Sequence, residues 1–263
     1  ISLFPSGIPE GISFLGTDWS VYQMFCFFTI YSVIGWFVET IYMTLETGYF
    51  DNRGFLNGPI CPIYGFGMAF VLIALTPLVE NALLLFVGSV IRTTSWEFLI
   101  GFALEKIFHN TWWDYSHEKF NLKGYICLKN SLLWGIACVL VMNVVHPALE
   151  KFIDFVPVKI GLPIAWCIFI LIMVDLGLSV AVIINLNNRL QKLDELRRRF
   201  RMASDAIGEN LSDEVLELKA KYDRLSEKTT VWQKRVLRAF PRMRSHEYNI
   251  VLSDLRERFD IRK

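Results

Sequence analysis

Five apolar segments occupy most of the first 185 residues, and they limit what this chain can fold into more than any other feature. A helix needs roughly 20 apolar residues to cross the hydrocarbon core of a bilayer. The segments are Tyr22–Thr44, Pro62–Leu78, Ala82–Phe108, Ser131–Phe152 and Leu162–Asn185. This pattern predicts an all-α, polytopic membrane protein with five transmembrane helices. The short second segment is predicted to form an antiparallel hairpin with the third.

Charged residues divide the chain into two regions. Residues 1–185 contain 8 Lys/Arg and 13 Asp/Glu, whereas residues 186–263 contain 19 and 13. We therefore predict a transmembrane domain at 1–188 and a helical cytoplasmic tail at 189–263. Apolar residues of the tail alternate at spacings of four and three, which is typical of a coiled-coil seam. The residues that carry this repeat are Leu211, Val215, Leu218, Tyr222, Leu225, Tyr248, Leu252, Leu255 and Phe259.

Basic residues beside the spans predict the orientation of the chain, because Lys and Arg are enriched in cytoplasmic loops. Six of them lie between Arg189 and Arg201, directly after the fifth span. Counting spans backwards also places the loops 109–130 and 45–61 in the cytoplasm. The prediction is an N-terminus outside and a C-terminus inside.

Five ionisable residues lie within the predicted spans: Glu39, Arg92, Glu97, Glu105 and Asp175. One charge at mid-membrane costs about 2.5–3.5 kcal/mol on insertion scales, so such residues must be paired, hydrated or used. Helical spacing lets Glu97 and Glu105 share one broad face, and the topology places Glu39 near the same cytoplasmic half. Arg92 and Asp175 are predicted to form a structural ion pair. Ion pairs that lock the bundle, a route for a substrate or proton, and a catalytic carboxylate pair all fit the pattern.

The two predicted cytoplasmic loops contain further candidate residues. Arg53 lies in a Gly- and Pro-rich run that leads into the second span. The helix N-terminus there could bind a phosphate or carboxylate together with Arg53. Alternatively, Arg53 pairs with a neighbouring carboxylate such as Asp51 in a tight turn. In the other loop, Trp112 and Trp113 are typical of interface anchors.

A divalent metal is a weaker alternative for these loops. Its ligands would be Glu39, Glu97, Asp114 and His117. Their spacing does not match an established metal-binding motif.

Several spaced motifs together resemble one family. They are Gly35-Trp36-x-x-Glu39, the run from Arg53 to Gly65, Trp96-Glu97 followed by Gly101 and Glu105, and Trp112-Trp113-Asp114-Tyr115-Ser116. Over roughly residues 20–140 the chain resembles the type IV ABC-transporter permease family of bacteria. Animal transmembrane proteins of unassigned function look similar around Glu39, Trp96-Glu97 and Trp113–Ser116.

The resemblance implies a transporter-like permease subunit in the bacterial plasma membrane. Its polar intramembrane cavity would receive a small or amphiphilic anionic substrate. The residues expected to line this cavity are Glu39, Arg53, Tyr64, Glu97, Glu105 and Asp114. The chain has no GxxxxGK[ST] run, so ATP would be hydrolysed by a partner ATPase. Five spans are few for a transport pathway, which predicts a homodimer or a larger assembly. No cofactor of its own and no nucleic-acid partner are expected.

Two other classes of function fit the same residues. The first is an intramembrane enzyme that acts on lipid headgroups through a metal ion or through acid–base carboxylates. The second is a membrane scaffold whose tail recruits a soluble partner.

Overall fold

The computed structural model describes residues 19–207 and 213–261, so the predicted outer N-terminus before Trp19 and Leu211 of the tail repeat lie outside the described residues. The helices are α1 (Val21–Thr47), α2 (Pro62–Leu75), α3 (Ala82–Phe108), α4 (Leu128–Leu140), α5 (His146–Phe155), α6 (Val158–Ile207), α7 (Asp213–Glu227), α8 (Val231–Ala239) and α9 (Asn249–Arg258). The strands are β1 (Asn110–Thr111), β2 (Asn121–Leu122), β3 (Ile126–Cys127) and β4 (Arg244–Ser245). A short 3₁₀-helix (Thr76–Leu78) follows α2, and a π-helical turn (Val141–Val145) joins α4 to α5.

Local sequence signals explain where the first helices begin and end. Ser20 and Gln23 form a capping box at the start of α1, in which each side chain bonds the other residue's backbone N–H. Gly48 ends α1 in the left-handed conformation with φ 76°. Pro62 opens α2, where its missing N–H leaves no hydrogen bond unmade. The boundaries of both helices therefore follow from residues next to the apolar runs.

The described residues pack as two compact units. The first contains residues 19–102 and 114–176, and the second contains 103–113 with the described part of 177–263. The predicted domain boundary at 188 and 189 falls inside α6, which continues as one helix from Val158 to Ile207. The division of the chain at that boundary stays a prediction.

The core of the first unit is apolar and lies between α1, α2 and the α4–α5 segment. Its buried residues include Phe27, Tyr31, Leu72, Met142 and Ile153. Strands β2 and β3 form an antiparallel hairpin within the loop that precedes α4. This unit contains most of the motif-bearing residues.

The second unit joins the end of α3 to the tail. Strand β1, directly after α3, pairs in antiparallel register with β4, so that Asn110 lies opposite Ser245. Leu190 and Leu193 of α6, Leu237 of α8 and Leu252 of α9 are all completely buried. The tail is therefore helical and folded, whereas the coiled coil stays a prediction.

Four helical segments are long and apolar enough to cross a membrane: Val21–Leu45, Ala82–Phe108, Leu128–Phe155 and Val158–Ala203. The segment Pro62–Leu78 is apolar but shorter. Each of these segments overlaps one of the five predicted from the sequence, and together they confirm a helical, membrane-type architecture. The count of five spans and the orientation stay predictions.

Candidate functional site

A carboxylate and a phenol join α1 to α2. The Tyr64 hydroxyl donates a hydrogen bond of 2.5 Å to Oε1 of Glu39. The Tyr64 ring reaches this position by lying against Gly35, one helical turn before Glu39. A Cβ atom at residue 35 would be only 2.1 Å from Cγ of Tyr64. Gly35 is therefore required by the close approach of the two helices.

The N-terminus of α2 lies at the same place. The backbone N–H of Cys61 donates to the carbonyl of Ser32 in α1 at 3.0 Å. Burial, followed by the charge of Glu39, raises the pKa of the Cys61 thiol from 9.0 to about 12, and Arg53 acts in the opposite direction. Both Glu39 and Arg53 therefore lie close enough to Cys61 to act on it electrostatically.

A tryptophan positions Glu97 on α3. Trp96 Nε1 donates to the carbonyl of Ile63 at 3.2 Å, and its ring passes 3.1 Å from where a Cβ on Gly67 would lie. Glu97 follows directly in sequence. Its Oε2 atom is buried and has no hydrogen-bond partner among the described residues. A buried carboxylate oxygen without a partner is costly and marks a position where a further ligand could bind.

Tyr115 contacts this carboxylate from the loop after α3. Its hydroxyl hydrogen-bonds with the side chains of Glu97 and Asn130. Burial, followed by the charges of Glu97 and Glu39, raises the pKa of Tyr115, so its hydroxyl keeps its proton at neutral pH. The charges of Glu39 and Glu97 thus act together on Tyr115. We call Glu39, Tyr64, Glu97 and Tyr115 the carboxylate–tyrosine cluster.

Asp114 has a structural position beside this cluster. Its Oδ1 accepts the backbone N–H of Ser116 at 2.8 Å, which is an Asx-turn contact. The backbone N–H of Tyr115 donates to the carbonyl of Gly124, a residue with φ 72°. The β2–β3 hairpin loop and Asp114 therefore fix the backbone from which Tyr115 extends.

The motif-rich loop before α2 is held by two side chains. Asn52 accepts hydrogen bonds from Trp36 Nε1 at 2.7 Å and from the backbone N–H of Gly54 at 2.9 Å. Asp175 of α6 accepts three, from the backbone N–H and the side-chain amide of Asn57 and from the backbone N–H of Gly58. The loop that contains Arg53 is therefore ordered by polar contacts with α1 and α6.

The two residues that were predicted to pair with each other have different neighbours. Asp175 binds the loop, whereas the guanidinium of Arg92 lies 5.3 Å from the ring centroid of Phe70 in α2. The two side chains therefore make their contacts at separate places in the first unit.

Glu105 and His117 also have neighbourhoods of their own. Glu105 belongs to the second unit, where its Oε1 lies 3.1 Å from Nε2 of His246 and its Oε2 accepts from Thr111 at 3.4 Å. His117 is exposed. No group of three or more His, Cys, Asp or Glu residues that could hold a metal ion occurs within 19–207 and 213–261.

Sequence reasoning placed Glu39, Tyr64 and Glu97 in one site but omitted three of their neighbours. Tyr115 and Cys61 stand inside the quoted motifs, and that position was the available signal for both. Asn130 lies outside every motif, in the first turn of α4, and nothing in the sequence pointed to it.

Comparison with known proteins identifies the family. Residues 26–180, more than half of the chain, match the family model described as "Putative ABC-transporter type IV". No curated protein and no solved structure matched the chain. The matched range contains the whole carboxylate–tyrosine cluster, Arg53 and Asp175, and extends well beyond the motifs found by inspection. The chain belongs to this type IV ABC-transporter family.

Proposed function

We propose that this protein is the membrane subunit of an ABC-type transport assembly in the bacterial plasma membrane. The substrate we propose is a small or amphiphilic molecule that carries an anionic group. The family match and the four long apolar helices support transport across or within a membrane.

The observation that carries the proposal is the carboxylate–tyrosine cluster. It brings together polar side chains from the apolar helices α1, α2 and α3 and from the loop after α3. Intramembrane carboxylates are rare because they are energetically costly, and they commonly mark substrate or ion pathways. Oε2 of Glu97 accepts no hydrogen bond from the part of the chain that the structure describes, and we propose that it accepts one from a donor group of the substrate.

Arg53 and the start of α2 are the proposed receptor for the anionic group. No side chain caps the N-terminus of α2, and the first turn of this helix contains no acidic residue. A helix N-terminus carries a partial positive charge, to which Arg53 adds a full one. Hydrogen bonds to Asn52 and Asp175 order the loop before α2, and this loop holds Arg53 near Cys61.

ATP is proposed to act through a separate chain. The given sequence contains no phosphate-binding GxxxxGK[ST] run, and we propose that a partner ATPase subunit supplies hydrolysis. A homodimer or larger assembly would give the pathway enough helices. We propose contact with the ATPase through the predicted cytoplasmic loops or the tail.

Purification from the native membrane in mild detergent tests this proposal. We expect an ATPase chain to copurify, and its ATP hydrolysis to be stimulated by the polar lipid extract of that membrane. Arg53→Ala should abolish the stimulation, whereas Lys119→Ala, which removes an exposed loop charge, should leave it intact. Absence of ATPase activity, together with unchanged substrate binding in Arg53→Ala, would overturn the proposal. Lipid hydrolysis without ATP would favour the intramembrane enzyme instead.

A further inference from the structure

One stretch of the tail is basic and contains no acidic residue. From Lys228 to His246 the sequence has six Lys or Arg and no Asp or Glu. A surface with this charge attracts an anionic partner, and the attraction acts over about 8 Å at physiological ionic strength. The position of the stretch relative to the bilayer therefore decides whether lipid can be that partner. The six basic residues are Lys228, Lys234, Arg235, Arg238, Arg242 and Arg244.

The second unit holds this stretch where two apolar helices end. Helix α3 ends at Phe108, and Arg244 of β4 pairs with Thr111, three residues later. On α6, the completely buried Leu190 lies five residues after Asn185, which is about 7.5 Å along the helix beyond the predicted fifth span. Phospholipid headgroups extend about 5–8 Å beyond the hydrocarbon on each side. The tail therefore packs at the level of the headgroups.

Helix α8 presents apolar and basic side chains together on its exposed face. Its opposite face is packed, since Leu237 is completely buried. In its first turn, Val231 and Trp232 are 79% and 55% exposed. Arg238 is also exposed and lies seven residues after Val231, which places it on the same face of the helix. Exposed Trp beside Lys and Arg is typical of helices that lie in a membrane interface.

We propose that α8 rests on the headgroups of a leaflet that contains anionic phospholipid. Trp232 and Val231 enter the interface, while Lys228 and Arg238 pair with lipid phosphates. Charge complementarity and the short distance to the ends of α3 and α6 favour this occupant. Nine residues bind a lipid surface weakly by themselves, but the pairing of β4 with β1 keeps α8 close to the bilayer and makes its binding intramolecular. The surface contains no residue of the carboxylate–tyrosine cluster, so it does not depend on the proposed transport function.

Spin labelling of the full chain in nanodiscs tests this contact. A nitroxide is attached at Val231→Cys after Cys26→Ala and Cys167→Ala remove the native cysteines that are not buried. In discs of phosphatidylcholine with phosphatidylglycerol, we expect the label to be shielded from an aqueous nickel chelate. In phosphatidylcholine alone, or at 1 M salt, where charges are screened beyond about 3 Å, the shielding should be lost. Each basic residue near an anionic surface favours binding about fivefold, so Lys228→Gln with Arg238→Gln should lower the ratio of docked to free α8 about 25-fold.

Helix α7 supplies the matched controls. Lys219→Gln with Lys221→Gln removes the same charge from exposed positions of the tail and should keep the shielding. A label on the exposed Leu216 should meet the nickel chelate equally in both kinds of disc. Equal accessibility of the residue 231 label in the two kinds of disc would overturn the proposal, as would equal loss of shielding in the two paired variants. Shielding that appears only after an ATPase subunit is added would also overturn it, since an acidic protein surface would then cover α8.

Discussion

The Tyr64 hydroxyl bonds the Glu39 carboxylate at 2.5 Å while the Tyr64 ring lies directly against Gly35. The missing side chain at residue 35 thereby sets how closely α1 and α2 approach. The absence of a side chain at Gly35 also lets the Tyr64 hydroxyl reach Glu39, so that this carboxylate inside an apolar helix has a hydrogen-bond donor.

Replacing Gly35 with alanine should destabilise the protein. The added methyl group would lie 2.1 Å from Cγ of Tyr64, so the ring must move away from Glu39. Overpacking of this kind costs about 1–3 kcal/mol. Thermal unfolding in detergent should show a lower midpoint for Gly35→Ala.

Gly177→Ala is the matched control for that substitution. It is also a helical glycine, and a Cβ there meets nothing within 4 Å. Because alanine is the better helix former, Gly177→Ala should be neutral or slightly stabilising. Equal midpoints for the two variants would contradict the packing of Tyr64 on Gly35.

Asp175→Asn should loosen the loop that contains Arg53. The asparagine presents an NH₂ group to donors that now face a carboxylate, so at least one of the contacts with Asn57 and Gly58 is lost. Hydrogen bonds to charged groups contribute about 1.5–3 kcal/mol, so exchange of these two backbone amides should accelerate about tenfold or more. Hydrogen-exchange mass spectrometry of the 51–61 segment measures this.

Arg92→Gln provides the comparison for the loop experiment. Since Arg92 contacts Phe70, its replacement should leave exchange in the loop unchanged. Faster exchange in Arg92→Gln as well would instead support the ion pair with Asp175 that the sequence predicted.

The Cys61 thiol should resist alkylation over the ordinary pH range. Its pKa is raised to about 12, so the folded state favours the protonated thiol. That contribution to stability is complete below pH 9, where the unfolded thiol is also protonated, and is lost as the pH rises towards 12. In a variant with Cys61 as its single cysteine, the alkylation rate should still rise at pH 10. A rate that levels off near pH 9, like that of an ordinary thiol, would be inconsistent with this environment.

Aromatic packing should hold the tail more strongly than its ion pair with the end of α3. Trp112 is buried, and its ring centroid lies 4.7 Å from that of Phe240. Trp112→Ala should lower the free energy of unfolding by about 3–5 kcal/mol. The ion pair between His246 and Glu105 should contribute only about 0–1 kcal/mol to the free energy of unfolding, because the His246 side chain is 51% exposed.

Limited trypsin digestion distinguishes these two contributions. Residues 213–261 should be cleaved rapidly in Trp112→Ala and at the wild-type rate in His246→Ala. Rapid cleavage in His246→Ala alone would show that the ion pair holds the tail.

The membrane-type helices could be predicted from the sequence because the length and apolarity of a span are local properties. The spaced motifs predicted the family, and the match over residues 26–180 confirms that prediction. Topology alone predicted that Glu39, Glu97 and Glu105 line one cavity, and that cavity stays a prediction. In the structure, burial followed by the charges of Glu97 and Glu39 raises the pKa of Tyr115. The role of that site stays a prediction.

The partners of individual charges were harder to predict. A carboxylate such as Asp175 binds whichever donors the fold brings to it, and here these include two backbone N–H groups of a loop more than one hundred residues away. Glu105 contacts His246 because β1 pairs with β4, and two-residue strands leave almost no pattern in a sequence. Glu105 and Asp175 each contact residues that are distant in the sequence, and helical spacing alone does not indicate such partners. The cavity and the ion pair predicted for them stay predictions.

Substrate-stimulated ATP hydrolysis by the reconstituted assembly tests the central claim most directly. The claim is that the carboxylate–tyrosine cluster handles the substrate. Glu39→Gln and Glu97→Gln should each reduce the stimulation about tenfold or more, as expected for loss of a charged hydrogen-bonding group. Glu118→Gln, which removes a partly exposed carboxylate paired with Lys129, should keep the wild-type response. Full stimulation in folded Glu39→Gln and Glu97→Gln proteins would contradict the account.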